Sequence, residues 1–449
     1  MRKLLIIDPS LLSLEGHSYN YDRAIFEAAQ RHFDEVVLYV DRSFRDNGQH
    51  PVPCRPVLNR LPIELLRRWV NAVFQLADRG EASTAQTPAH FADATVVPSV
   101  WGWIVRLGKR LRARDLESSV RAIIAEHGCG VRDELHLFFQ HANLAELLVA
   151  DRLRRAAFGA PVHLHLVLRY SPDLINAQFF PATEFASLLK RIAESSALRT
   201  HFLTDSERLS AEYRALGVGL VATLPVPVVL PMEEPAAQAG GRVDVAFLGS
   251  ARVEKGFCKL PALVQAIPRE AGGRAVRAVV QITRDSPDPR VRDTLEELRR
   301  MEQALPAGAL ELRASPVPMP VYYSWVRSAG IVALPYISDK YNASTSGIFV
   351  EAICFGVPVL APANSWMADM IDEAQRAHSL RIGEVFATLK QIPAIVARMA
   401  SDLARYRADV RSFSAVWRRT HNPESCVQAL LAAAAQGPVL LNDRKTCGS

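Results

Sequence analysis

The stretch Ile331–Ala363, IVALPYISDKYNASTSGIFVEAICFGVPVLAPA, narrows the fold more than any other part of the chain. Ile331–Leu334 is a short apolar run with the length and β-branched character of a strand buried on both faces. A loop dense in small side chains follows and closes on Ser344, Thr345, Ser346 and Gly347. Ile348, Phe349, Ala352 and Ile353 then recur at helical spacing, and Gly356 stands where a helix should stop. Val357–Leu360 supplies the next buried strand. The reading is one strand–loop–helix–strand unit with hydroxyls and backbone N–H groups gathered at the helix start. Such a terminus attracts anions, because unpaired N–H groups and the positive end of the dipole face the same way. One turn in, Glu351 adds a carboxylate able to accept two hydrogen bonds from a vicinal diol. Phosphate at the cap and ribose one turn along together describe a nucleotide diphosphate. The segment alone is also an ordinary buried βαβ unit, so the rest of the chain must decide.

At 449 residues the chain is too long for a single core, which predicts two domains. A composition 49% hydrophobic and 22% charged excludes a disordered or fibrous chain. The formal charge of +6 fits an anionic substrate or an acidic membrane surface and does not call for nucleic acid. Cys54, Cys129, Cys258, Cys354, Cys426 and Cys447 are scattered without a C-x-x-C pair, which speaks against zinc and disulfide frameworks and for a reducing compartment. No apolar run approaches the roughly 20 residues of a membrane span. Asp8 and Pro9 cut the opening MRKLLIIDP too early for a signal peptide, so it reads as a first strand and the protein as cytoplasmic.

Leu4–Ile7, a helix over Asp22–His32 and Val36–Val40 make a βαβ opening, which predicts a parallel, doubly wound sheet with ligands at strand carboxyl ends. No G-x-G-x-x-G is present, which weakens a nicotinamide dehydrogenase reading. Residues 41–119 break the rhythm. Gly80–Pro98 is polar and rich in small residues, an insert expected to be mobile over about 77–98. Two basic, Trp-bearing segments flank it, Ile63–Leu76 and Val100–Arg114. In the second, Trp101, Ile104, Val105 and Leu111 share one helical face and Arg106, Lys109 and Arg110 another. That pattern suits a helix lying on an anionic membrane, and equally one packed on its own domain with a solvated basic face. Strands return at Leu135–Phe139, Val162–Leu168 and Thr200–Thr204, with a helix at Thr183–Ser195. His141 at a strand end is a site candidate on position alone. Pro231–Gly241 has linker composition, after which Val243–Leu248 opens a second domain. Val276–Thr283 and Leu310–Leu312 are further strands, and Phe386–Ala435 is helical.

The run SGIFVEAICFGVPVLAP resembles the donor-binding segment of retaining, GT-B-fold glycosyltransferases of family 4. There a glutamate followed by Ala-x-x-x-Gly-x-Pro-Val holds the nucleotide ribose, and Glu351 falls on it. A second family glutamate, eight residues earlier and near the transferred sugar, is Ala343 here. Gly249–Phe257, GSARVEKGF, resembles the family's Gly…Arg…Glu-Lys-Gly phosphate loop with a shorter Arg-to-Lys spacing. Arg252 and Lys255 on this turn can neutralise a diphosphate leaving group without a metal ion. The resemblance also places a glycine-containing loop of the first domain near the donor phosphates or the acceptor, with Gly16 and His17 as candidates. Asp205–Ser206–Glu207 matches the family's Ser-Glu helix start, with Ser206 as cap. A histidine expected near 165–170 cannot be assigned, because Arg169 follows that strand. Asn364–Ser365–Trp366 replaces the family's more usual glycine pair.

The resemblance thus implies an α/β GT-B architecture, two Rossmann-like doubly wound parallel-sheet domains facing a cleft. The expected divisions are an acceptor-side domain over 1–228, a linker over 229–241, a nucleotide-sugar domain over 242–414, and a last helix within 415–449 crossing back. The expected activity is hexosyl transfer with retention, from a nucleotide-diphosphate sugar to a glycan, lipid-linked or protein acceptor in polysaccharide, glycolipid or glycoprotein biosynthesis. Lys255, Arg252 and His17 are the expected catalytic groups. Gly16, Gly249, Arg252, Lys255, Ser344, Thr345, Ser346, Gly347 and Glu351 are the expected donor contacts. No metal, no cofactor and no nucleic acid are expected, and contact with the inner face of an anionic membrane stays open. So does a different class, a nucleotide-sugar-binding pseudoenzyme or partner subunit.

Overall fold

A computed structural model describes residues 1–12, 17–45, 52–58, 100–127, 130, 133–156, 158–159, 161–179, 182–195, 198–229, 242–270, 275–283, 286, 288–337 and 339–436. Gly16, the insert over 77–98, the Ile63–Leu76 segment and the Pro231–Gly241 linker composition lie outside the described residues, as do the side chains of His17, Trp101, Ile104, Val105, Arg106 and Lys109.

The chain forms two compact units, Met1–Leu224 with Val427–Ser449, and Pro225–Cys426. The first is built on a seven-stranded sheet. Its strands are β1 (Arg2–Asp8), β2 (Glu35–Asp41), β3 (Cys54–Leu58), β4 (Glu134–Phe139), β5 (Val162–Val167), β6 (Arg199–Thr204) and β7 (Val221–Thr223). They lie in the order β3-β2-β1-β4-β5-β6-β7, every pair parallel. The continuous apolar run Leu4–Ile7 of β1, and the burial of β4 and β5 along nearly their whole length, follow from helices covering both faces of an all-parallel sheet. The first helix runs from His17 to Ala29, starting and ending earlier than the Asp22–His32 expected from spacing.

The basic helix is longer than its apolar stripe indicates, reaching from Val100 to Glu126. Ala113, Leu116, Val120 and Ile123 enter the core of the first unit, and Arg112 pairs with Glu146 at 3.5 Å in the buried interior. Leu111, expected on the apolar face, is 38% exposed. Among the described residues no helix is long and apolar enough to cross a membrane.

The second unit holds β8 (Val243–Phe247), β9 (Val276–Thr283), β10 (Leu310–Ser315), β11 (Ile331–Ala333), β12 (Val359–Pro362) and β13 (Gly383–Phe386). Their order is β10-β9-β8-β11-β12-β13, again wholly parallel. The order reverses between β8 and β11, so the loops leaving these neighbouring strands diverge at the sheet's carboxyl edge. In open α/β sheets that switch point is where ligands bind.

Candidate donor site

Both stretches expected to bind phosphate, 249–257 and 344–351, lead from that switch point. Gly249 follows β8 at φ 104°, a conformation few side chains tolerate, and its N–H donates to Gln281 Oε1 of β9 at 2.7 Å. A Cβ here would stand 2.6 Å from Ile348 Cδ1 and 2.9 Å from Lys255 Nζ. The absent side chain therefore lets the lysine of one loop and the helix tip of the other meet. Val253–Lys255 forms a single 3₁₀ turn ended by Gly256 at φ 75°. A Cβ on Gly256 would fall 1.9 Å from the Pro335 carbonyl oxygen, and Ile337 N–H donates to Glu254 O at 3.1 Å. The turn is thereby locked against the loop that leaves β11.

That loop includes a short helix, Lys340–Ala343, whose Ala343 is buried, and then the Gly347–Cys354 helix. Ser346 caps the latter, its Oγ accepting from Phe349 N–H at 3.3 Å and lying 3.2 Å from Tyr336 Oη. Ser344 is buried and Thr345 half-buried. Gly347 is exposed and faces open space, so the first N–H groups of the helix stand at an accessible tip. Glu351 lies one turn deeper, 5% exposed, and its Oε2 accepts from Tyr322 Oη at 2.8 Å. Burial, then the Glu351 charge, push the Tyr322 hydroxyl well above its usual range, so it stays a donor.

Lys255 is half-buried beneath the exposed Arg252. Burial first, then the positive charges of Arg252 and Lys340, bring its ammonium down to about 8 against the opposing pull of Glu254 and Glu351. It therefore remains protonated at neutral pH yet short of counter-charge, while its Nζ sits 5.8 Å from the Tyr336 ring centre. Among the described residues Arg252 has one weak pairing, Nη1 to Glu254 Oε1 at 3.7 Å. Three cations, a glycine turn and a helix N-terminus on one switch point are what a dianionic group would fill.

The fold thus brings together Gly249, Arg252, Lys255, Ser346, Gly347 and Glu351. Gln281, Tyr322, Tyr336 and Lys340 join them, and sequence reasoning named none of the four for the site. Tyr322 and Gln281 precede their partners by tens of residues or follow them on another strand, so no local spacing marks them. Trp366, in the loop that departs from the family pattern, is core: it packs on Phe349 and Trp417, with Ser365 capping the following helix. In the first unit His17 opens the first helix. His141 lies 5.2 Å from the Tyr170 ring, and Arg169 pairs with Asp205 at 3.1 Å.

No protein-family model and no curated protein matches the chain. Solved structures do. Sucrose-phosphate synthase from Thermosynechococcus elongatus is similar at TM-score 0.62 and 14% identity, over 97% of this chain and 98% of that one. The E. coli trehalose-6-phosphate structure with bound UDP-2-fluoro glucose gives 0.62 and 12%, over 97% and 99%. The catalytic domain of starch synthase IV from Arabidopsis thaliana, with ADP and acarbose, gives 0.60 and 10%, over 97% and 98%. The fold is GT-B.

Proposed function

We propose that this chain is a glycosyltransferase that moves a sugar from a nucleotide-diphosphate sugar to an acceptor hydroxyl, with retention, as the likeness to family 4 implies. One observation carries the reading: Lys255, Arg252 and the Gly347–Cys354 helix tip converge around Gly249 at the switch point of the second sheet. In this reading the helix tip and Arg252 bind the diphosphate and Glu351, held by Tyr322, takes the ribose diol. Two of the similar structures hold UDP-2-fluoro glucose and ADP, which are ligands of that chemical class.

Negative charge grows on the departing phosphate oxygens as the glycosidic bond breaks. The Lys255 ammonium then stabilises the transition state more than the ground state, in place of a divalent ion. The departing diphosphate orients or deprotonates the acceptor hydroxyl on the same face of the sugar. A glycan, lipid-linked saccharide or protein is the acceptor class.

Buried Ala343, where the family has a glutamate near the sugar, favours a second reading, a protein that binds nucleotide sugar without turning it over. Thermal denaturation against a panel of nucleotide sugars tests both. A cognate donor at a hundred times its Kd should stabilise by about 2.7 kcal/mol. Release of nucleoside diphosphate in the presence of glycan acceptors should follow. Stabilisation without release selects the binding protein, and no stabilisation by any donor sinks both readings.

A further inference from the structure

We propose that Glu134, His136 and His163 form a binding site for one divalent transition-metal ion of the zinc class, with His165 and His201 orienting the two imidazoles. The site belongs to the first unit and is independent of the donor reading.

Four histidines stand on one face of three adjacent strands. His136 of β4 is in register with His163 of β5, and His165 of β5 with His201 of β6. All four are buried. Elsewhere these strands bury Leu, Val and Phe, so four imidazoles side by side ask for a reason. The rings of His136 and His163 are stacked 4.6 Å apart and within 10° of parallel, so both can present Nε2 the same way. Glu134 lies two residues before His136, on the same face of β4. Its Oε1 is 3.1 Å from His163 Nε2 and 3.5 Å from His136 Nε2. With ligand bonds of about 2.0–2.2 Å, the edge of a tetrahedral site is about 3.4 Å, which these two separations bracket. The three ligand atoms all lie within 4.8 Å of one another, so the remaining edge shortens as an ion draws the rings together.

Hydrogen bonding leaves the correct atoms available. His136 Nδ1 lies 2.9 Å from His165 Nε2, and His163 Nδ1 lies 3.0 Å from His201 Nε2. The Nε2 atoms of His136 and His163 are buried and have no hydrogen bond among the described residues. Each ring thus has a second imidazole at its Nδ1 and turns its Nε2 toward the Glu134 carboxylate, so the inner contact can fix tautomer and ring orientation as outer-shell partners of metal-binding histidines do. Arg2 Nε holds the other oxygen of Glu134 at 2.9 Å, which aims Oε1 at the rings. Glu134 is about one-third exposed, giving a path for the ion and room for a water as fourth ligand. Bound there, the ion would tie β4 to β5.

The test uses the untagged full-length chain, stripped with a chelator and titrated with Zn²⁺ by calorimetry and with Co²⁺ by visible absorption. One equivalent should bind, with the Co²⁺ spectrum of a site having nitrogen and oxygen ligands. Glu134→Ala alters a partly exposed side chain, so the fold should persist, and it should weaken binding at least tenfold. His163→Gln should do the same, and His165→Phe should weaken it by about 10–100-fold through the lost orienting contact. No ion bound by the wild-type chain, or equal affinity in Glu134→Ala, overturns the site. Unchanged affinity in a folded His165→Phe overturns the orienting role.

Discussion

The two sheets share a plan and differ at their switch points. In the first sheet the order reverses between β1 and β4, in the second between β8 and β11. At the first, Asp8 ends β1 and accepts from Gln140 Nε2, just beyond β4, at 2.6 Å. Asp22 is fully buried beside them, and neither of its oxygens has a well-formed hydrogen bond among the described residues. Burial and then the Asp8 charge push its carboxyl well above the usual range. At the second switch point a lysine is pushed the other way, by burial and by neighbouring cations. Topology fixes where a ligand can sit, and the loops decide which charge it must carry. The proposed donor reading puts an anion on the second unit, where cations gather, while buried carboxyl groups meet at the switch point of the first.

The sharpest way to break this contrast is Lys255→Ala. Single-turnover transfer at saturating donor should fall about a hundredfold or more, near 2.7 kcal/mol, while affinity for the nucleoside diphosphate falls less. A normal rate at saturation would reduce the lysine to a binding contact. Glu351→Gln should weaken donor binding by about 1.5–3 kcal/mol in calorimetry, with the fold intact because an amide oxygen still accepts from Tyr322. Unchanged affinity would remove the ribose assignment.

Gly256→Ala combines a left-handed φ with a Cβ driven into the Pro335 carbonyl. It should cost about 1–3 kcal/mol of the second unit's stability in chemical denaturation. A neutral result would mean the turn is not held against the β11 loop.

The pH dependence sharpens the comparison, because the two windows have opposite sign. The Lys255 proton is held to about 8 in the folded chain and to about 10.5 in an unfolded one. Between those values the unfolded state binds more protons, so this group's share of stability rises with pH. Activity that needs the ammonium should run the other way, kcat/KM falling up to tenfold per pH unit above about pH 8. Lys255→Arg should move that limb to higher pH. For Asp22 the folded chain holds the proton longer, so its contribution is present near pH 3.8 and is lost as pH rises. Asp22→Asn should therefore gain in melting temperature over wild type more at pH 8 than at pH 4. This is the smallest expected effect, and an equal difference at both values would place Asp22 outside the linkage.

Legibility in the sequence followed burial. The central strands, from Leu4–Ile7 to Val276–Thr283, stood out as apolar runs because both faces are covered. The strands that were not read, β3, β7 and β13, are all sheet edges. They are short and partly exposed, and β3 contains Pro56, which only an edge tolerates. In the candidate donor site Gly249, Lys255 and Glu351 are readable as candidates because each sits in a local pattern. Gln281 and Tyr322 are not, since their partners come from other elements. The histidine group was invisible for the same reason: three strands separated by intervening helices supply it, and only register brings it together.

The lock between Gly256 and Pro335 bears on how this site can be transplanted. The loop after β8 holds the cation and the loop after β11 leads to the helix tip, but the backbone contact between them sets their relative position. Either loop grafted alone onto another parallel sheet would carry its residues without their spacing. Residues 249–256 and 334–351 are a cassette: anyone redesigning the proposed donor site should move or vary them as one piece.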